Sequence, residues 1–221
     1  MLSLGLLGKN IAHSKSQKMY EELTGEPVDY KLFDYNKESE IPSLDWFFKN
    51  IKGLSITSPY KRHFLDAVNV EDNFDSINCI KHEKGQYWAT NTDYKAIEKV
   101  FPKILDLKDY NSIFILGDGS MASLSKRFLD SHKIKYSQLS RKKNGPLEET
   151  EFKGNSLIIN TCSREFIYRG QISKTSVFYD FNYNFRVHKN YLEPIIFKYF
   201  DGLELLKLQA LYALKFWGAS L

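Results

Sequence analysis

Residues 112–122 read "SIFILGDGSMA", and this stretch decides the fold. An apolar, β-prone run ends at Gly117, Gly119 follows, and Ala122 takes the third small position at the start of a helix-like segment. In a strand–turn–helix of this spacing, one glycine makes the turn and the next lets backbone approach a pyrophosphate. The small residue packs helix on strand. Amides at the helix start, around Ser120, then face the phosphates. The same spacing also serves a tight strand-to-helix turn that holds no ligand.

The end of the next strand bears on that choice. A domain that binds NAD usually carries Asp or Glu about 20 residues past the glycines, accepting from the ribose 2′-hydroxyl. Here the place holds "SRKK", Ser140 to Lys143. A cationic, hydroxyl-bearing segment suits a 2′-phosphate, and Arg141 adds a planar fork that also stacks on adenine, with Lys142 beside it. NADP is the cofactor this favours; a solvated basic loop is the alternative.

Working outward, "KYSQLSR", "NSLIINTCS" and "SVFYDFNYN" continue an alternating series that predicts a parallel sheet. Only eighteen residues lie between Arg141 and Asn160, room for a loop, so a helix and a strand of a full dinucleotide domain are missing. Upstream, strands are expected at 2–8, 28–35 and 53–58, with helices near 15–24 and 40–51, a βαβαβ rhythm. "SINCIKHEKGQYWATN" follows as a hairpin turning at Glu83, Lys84 and Gly85, and "TDYKAIEKVFPKIL" as a helix that Pro102 ends or kinks. "GLELLKLQALYALKFWG" closes the chain with helical spacing. The fold class is α/β: an N-terminal α/β domain with a mostly parallel sheet, residues 1–95, and a reduced Rossmann-type domain, residues 96–200. A C-terminal helix over 201–221 is expected to pack back on the first domain.

In the first domain "GLSITSPYK", residues 53–61, ends a strand on a lysine. Pro59 fixes its own φ and biases Ser58 toward extended backbone, so the strand stops and the chain turns. Lys61 would then sit at a strand's carboxyl edge, where open α/β sheets bind ligands. Alternatively Lys61 and Arg62 begin a solvated helix, "YKRHFLDAV". "HSKS" places Ser14 and Ser16 at the start of the first helix, as an N-cap or as part of an anion site. Asp93 in "NTD" starts the connecting helix, where the dipole favours a carboxylate.

Composition excludes several classes. With 221 residues, 43% of them hydrophobic and 15% aromatic, the chain is globular and large enough for one or two cores. The net charge of +4 is spread along the chain without an arginine-rich block, which suits a small anionic ligand; no nucleic-acid partner is expected. Cys79 and Cys162 lie in apolar runs, as free buried thiols, and neither they nor the five histidines fall at metal-ligand spacing. No metal site, leader or membrane span is expected, and a cytoplasmic setting follows.

Taken in order, "IAHSKS", "SITSPYK", "SINCI", "NTD", "LGDGSMAS", "SRK", "NTCS", "YDFNY" and "GLELLKLQALYALKFWGA" resemble the shikimate dehydrogenase family from residue 5 to the C-terminus. The resemblance implies a substrate domain, an NADP-binding Rossmann domain, a cleft between them, and reversible reduction of 3-dehydroshikimate to shikimate without a metal. That reaction serves chorismate and aromatic amino-acid biosynthesis; quinate or a related cyclitol carboxylate, or binding without turnover, are the alternatives. It implies Lys61 and Asp93 as the catalytic pair, and Ser14 and Ser16 on the substrate carboxylate, with Tyr183 nearby. Thr57, Asn78, Asn91 and Gln209 would hold ring hydroxyls, and Gly117, Gly119, Ser120, Ala122, Ser140, Arg141, Lys142 and Thr161 the cofactor. A monomer or homodimer is implied. The chain departs from the family at Ser55 (usually Asn), Cys79 (Thr), Ala96 (Gly) and Phe185 (Pro).

Overall fold

A computed structural model describes residues 2–12, 14–71 and 74–219; the expected domain ends at 1 and 221 lie outside them. The chain divides into two compact units, residues 1–95 with 207–221, and residues 96–206.

The first unit holds β1 (Leu2–Gly8), α1 (Ser16–Thr24), β2 (Val28–Asp34), α2 (Leu44–Phe48), β3 (Gly53–Ile56), β4 (Asn69–Val70), β5 (Cys79–Glu83) and β6 (Gln86–Thr90). Its six-stranded sheet has the order β2-β1-β3-β5-β6-β4. β1 pairs in parallel with β2 and β3, and β5 runs antiparallel to both β3 and β6. Because β5 is the one reversed strand, the carboxyl ends of β1, β3 and β6 and the start of β5 all reach the same edge. Leu7, Leu54, Ile56, Phe47, Ile77 and Ile80 fill the core beneath it. Burial of each such side chain contributes about 1.5–3 kcal/mol.

The helix expected over 40–51 shortens to the five residues of α2. Pro42 disfavours helical backbone at the residue before it, which removes the first turn. "YKRHFLDAV" is turn followed by a 3-10 turn at Leu65–Ala67, and no α-helix begins at Lys61.

The second unit takes over within α3 (Thr92–Leu105), which runs on through Pro102. It continues with β7 (Ser112–Leu116), α4 (Ser120–Ser131), β8 (Ser137–Leu139), α5 (Arg141–Asn144), β9 (Ser156–Asn160), β10 (Val177–Asp180), α6 (Arg186–Leu192) and β11 (Lys198–Phe200). Its sheet is wholly parallel, in the order β11-β10-β9-β7-β8. β9 and β10 are buried at every residue, which is why they read as continuous apolar runs. Against the six-stranded order 3-2-1-4-5-6 of a full dinucleotide sheet, the strand beyond β8 is missing. After β8 the crossover carries only the one-turn α5, so there is no helix to return another strand.

The chain returns to the first unit within α7 (Leu203–Phe216). Trp217, just past its end, donates from its indole nitrogen to the Ile80 carbonyl at 3.0 Å and lies edge-on to Tyr20. Gly53 makes room for it: a Cβ there would fall 2.5 Å from the indole. Trp217 is therefore a packing anchor.

Candidate functional site

At the carboxyl edge of the first sheet, Tyr60 is buried and its hydroxyl donates to the Tyr35 carbonyl at 2.8 Å. The Tyr60 amide closes a turn onto the Thr57 carbonyl at 3.0 Å across the cis Ser58–Pro59 bond. The Lys61 carbonyl in turn accepts from the Ile77 amide at 2.8 Å. Held on both sides, Lys61 extends its ammonium to Asp93 Oδ2 at 2.6 Å. Both side chains are only 12–13% exposed. Asp93 stands in the first turn of α3, so one short chain reversal and one helix start create the pair.

The other expected site residues of this unit divide by role. The Asn78 amide group donates to Thr92 Oγ1 at 2.9 Å and accepts the Thr92 N–H at 2.7 Å. Asn91 donates to the Ser76 carbonyl at 2.9 Å and accepts from the Tyr94 amide at 3.1 Å. Asn91 is fully buried, so it fixes the start of α3 and with it Asp93. Thr57 is half-buried at the end of β3, with its amide on the Leu7 carbonyl. Ser14 and Ser16 bring their hydroxyls within 3.2 Å of each other at the start of α1. Gln209 is half-buried on α7, about two turns before Trp217.

Behind Ser16 the structure shows a hydroxyl cluster that sequence reasoning missed. Ser55, the departure from the family's asparagine, shares a 3.1 Å hydrogen bond with Tyr20 and is buried. Burial pushes the Tyr20 phenol well above its ordinary range. Tyr30 is sealed beside it; burial pushes that phenol up too, with the Ser16 and Ser55 hydroxyls opposing. Cys79 completes the layer, its thiol raised to about 12 by burial. It is a packing thiol and not a nucleophile.

A larger hollow of 410 Å³, bordered by Phe48, Lys81, Phe216 and Trp217, lies at the Gly53 end of β3. That is the end away from Lys61, and none of the expected site residues borders it.

In the second unit a 370 Å³ pocket opens on Gly117, Gly119, Arg141, Lys142 and Thr161, joined by Asp118, Cys162 and Ser163. It lies between the ends of β7 and β9, where the strand order reverses. Gly117 has φ +111, and a Cβ there would meet Thr161 Oγ1 at 2.5 Å. Thr161 is itself strapped to the Leu116 carbonyl by its hydroxyl at 2.7 Å. Gly119 precedes α4, Ser120 begins it, and Ala122 is buried where the helix packs. Ser140 does not face the pocket: it is 2% exposed and precedes α5, accepting the Lys143 and Asn144 amides on its carbonyl. Cys162 is half-exposed, and burial still raises its thiol to about 11. Tyr183 belongs to this unit, with the Arg164 guanidinium over its ring at 5.5 Å.

Two α/β units, one with a nearly buried lysine–aspartate ion pair at its sheet edge and one with a glycine turn at a strand-order reversal, define the class: an α/β domain of substrate-domain type and a Rossmann-like domain. Residues 6–80 match the family model described as the shikimate dehydrogenase substrate binding domain. That match covers about a third of the chain, within its first unit. A shikimate dehydrogenase (NADP(+)) of Clostridium perfringens is 28% identical over 145 residues, 61% of this chain and 53% of that protein. One from Clostridium botulinum is 30% identical over 133 residues, 54% of this chain and 50% of that protein. The matches thus span about half the length of these curated relatives. Among solved structures, a chorismate mutase/shikimate 5-dehydrogenase fusion from Clostridium acetobutylicum superposes with a TM-score of 0.75 at 21% identity. That match covers 100% of this chain and 93% of that one. Shikimate dehydrogenase from Thermotoga maritima gives 0.74 at 18%, over 99% and 94% of the two chains. These two likenesses establish the fold.

Among the described residues no cluster of His, Cys, Asp or Glu could hold a metal ion, and no helix is long and apolar enough to cross a membrane.

Proposed function

We propose that this chain reduces 3-dehydroshikimate to shikimate reversibly, with residues 1–95 and 201–221 binding the substrate and 96–200 binding NADP. The observation that carries this is the Lys61–Asp93 pair, 2.6 Å apart and nearly buried at the carboxyl edge of the sheet. A surface ion pair needs no such enclosure. The relatives named above are shikimate dehydrogenases (NADP(+)), and a solved relative from Thermus thermophilus is described in complex with NADP(H) and shikimate.

NADPH, when bound, supplies the hydride. The Lys61 ammonium is the proton donor to the carbonyl oxygen as it becomes an alcohol, and its charge stabilises the negative charge developing there. In the reverse direction the neutral amine takes the proton back. Asp93 orients the ammonium and accepts from the substrate hydroxyl. Ser14 and Ser16 receive the ring carboxylate, and Thr57, Asn78 and Gln209 the ring hydroxyls. Asn91, whose polar atoms are spent on backbone, acts through Asp93. Gly117, Gly119 and the start of α4 fit a pyrophosphate, and Arg141 and Lys142 fit the adenosine phosphate. Asp118 adds an opposing charge at the same rim.

The test is spectrophotometric: shikimate with NADP⁺, and separately with NAD⁺, followed at the absorbance of the reduced nicotinamide. Growth of that signal with NADP⁺ is expected. Calorimetric binding of shikimate with no turnover on either cofactor would leave a binder, consistent with the shortened crossover after β8. Quinate in place of shikimate sets the substrate preference.

Arg141→Ala carries a sharper expectation. Charge-assisted hydrogen bonds contribute about 1.5–3 kcal/mol, so NADP⁺ affinity should fall about 10- to 100-fold while NAD⁺ affinity holds. An unchanged ratio of the two dissociation constants would remove Arg141 from the site.

A further inference from the structure

Asp180, the last residue of β10, is fully buried and collects five hydrogen bonds. Oδ1 accepts from Asn160 Nδ2 at 3.0 Å, from the Asn182 amide at 3.0 Å and from Asn182 Nδ2 at 2.9 Å. Oδ2 accepts from His188 Nδ1 at 2.6 Å and Tyr199 Oη at 3.1 Å. His188 Nε2 accepts the Tyr168 amide at 2.9 Å, which places the ring proton on Nδ1, facing Asp180. Burial, and then Asp180, push the Tyr199 phenol up, so it remains a donor.

The two asparagines pass this anchoring on to one peptide. Asn160 Oδ1 accepts the Cys162 amide at 3.1 Å, and Asn182 Nδ2 also donates to the Cys162 carbonyl at 3.0 Å. Thus the amide and carbonyl of Cys162 are both gripped by side chains that Asp180 holds. Cys162 and its neighbours Thr161 and Ser163 form one wall of the 370 Å³ pocket, against Gly117. Such a buried network is costly to leave half-satisfied, and fully satisfied it specifies one geometry.

We infer that Asp180, fixed by His188 and Tyr199 and acting through Asn160 and Asn182, is the positioning residue that sets the 161–163 wall of the second unit's pocket. Its effect on cofactor rests on the NADP assignment above; its effect on the wall does not. The link easiest to cut without opening the core is Asn182, which is half-buried. Asn182→Ala should raise the NADP⁺ dissociation constant about tenfold, a loss of about 1.4 kcal/mol. Shikimate binding, measured by calorimetry on the same protein, should stay within twofold. The rate of Cys162 alkylation by iodoacetamide, read by mass spectrometry with buried Cys79 as internal control, should rise several-fold without any cofactor.

Wild-type NADP⁺ affinity and an unchanged Cys162 alkylation rate in Asn182→Ala would overturn the inference. If wild-type protein binds no NADP⁺, the cofactor assignment fails, and the alkylation rate alone decides the role of Asp180. Should the variant not fold, hydrogen exchange on the ligand-free wild-type chain decides instead. A Cys162 amide protected like the β9 amides supports the clamp, and exchange at the rate of an exposed loop rejects it.

Discussion

Lys61→Ala should lower kcat for shikimate oxidation by about 10²- to 10⁴-fold, the range that a positioned general acid–base supplies. KM for shikimate should change by no more than a few-fold, because Ser14, Ser16 and Thr57 remain. The substitution also leaves Asp93 without its cation in a site of which only 13% of the aspartate side chain is exposed. A partly buried carboxylate stripped of its partner destabilises its surroundings. The melting temperature and calorimetric shikimate binding must therefore accompany the kinetics. A matching loss of binding and rate would show that Lys61 positions the substrate and transfers no proton. Asp93→Asn keeps the shape and removes the charge; it should also reduce kcat, with the larger share of its effect on the chemical step.

Gly117→Ala should nearly abolish NADP⁺ binding while leaving shikimate binding intact. At φ +111 an alanine costs about 1–3 kcal/mol in backbone strain alone. Its Cβ would also lie 2.5 Å from Thr161 Oγ1, and Thr161 is tied to the Leu116 carbonyl, so relief comes only by moving the pocket wall. Together these predict a rise of at least about 100-fold in the NADP⁺ dissociation constant, equivalent to about 2.8 kcal/mol. Titration of the variant with NADP⁺ and, separately, with shikimate gives the comparison. Unaltered NADP⁺ affinity would mean that the turn does not hold the cofactor.

Much of this was legible from local pattern. Gly117, Gly119 and Ala122 have a spacing that only a strand–turn–helix satisfies, and Pro59 marks the reversal that presents Lys61. The shortened crossover was countable between Arg141 and Asn160. Three-residue β11 and two-residue β4 were not legible, because so short a run cannot show alternation. Ser140 was misplaced for a related reason. A cap residue and a ligand-facing hydroxyl share one sequence signature, and only burial separates them.

By itself the sequence determined the α/β class, the two series of strands, and the residue types needed at each turn, since backbone preferences and hydrophobic period act over a few residues. Tertiary structure decided which side chains meet. The reversal of β5 brings Asn78 to the edge that carries Lys61; the register of α1 against β3 gives Ser55 the partner Tyr20; and α6 and β11 bring His188 and Tyr199 onto Asp180. Those pairings join residues distant in sequence, and no local period encodes them.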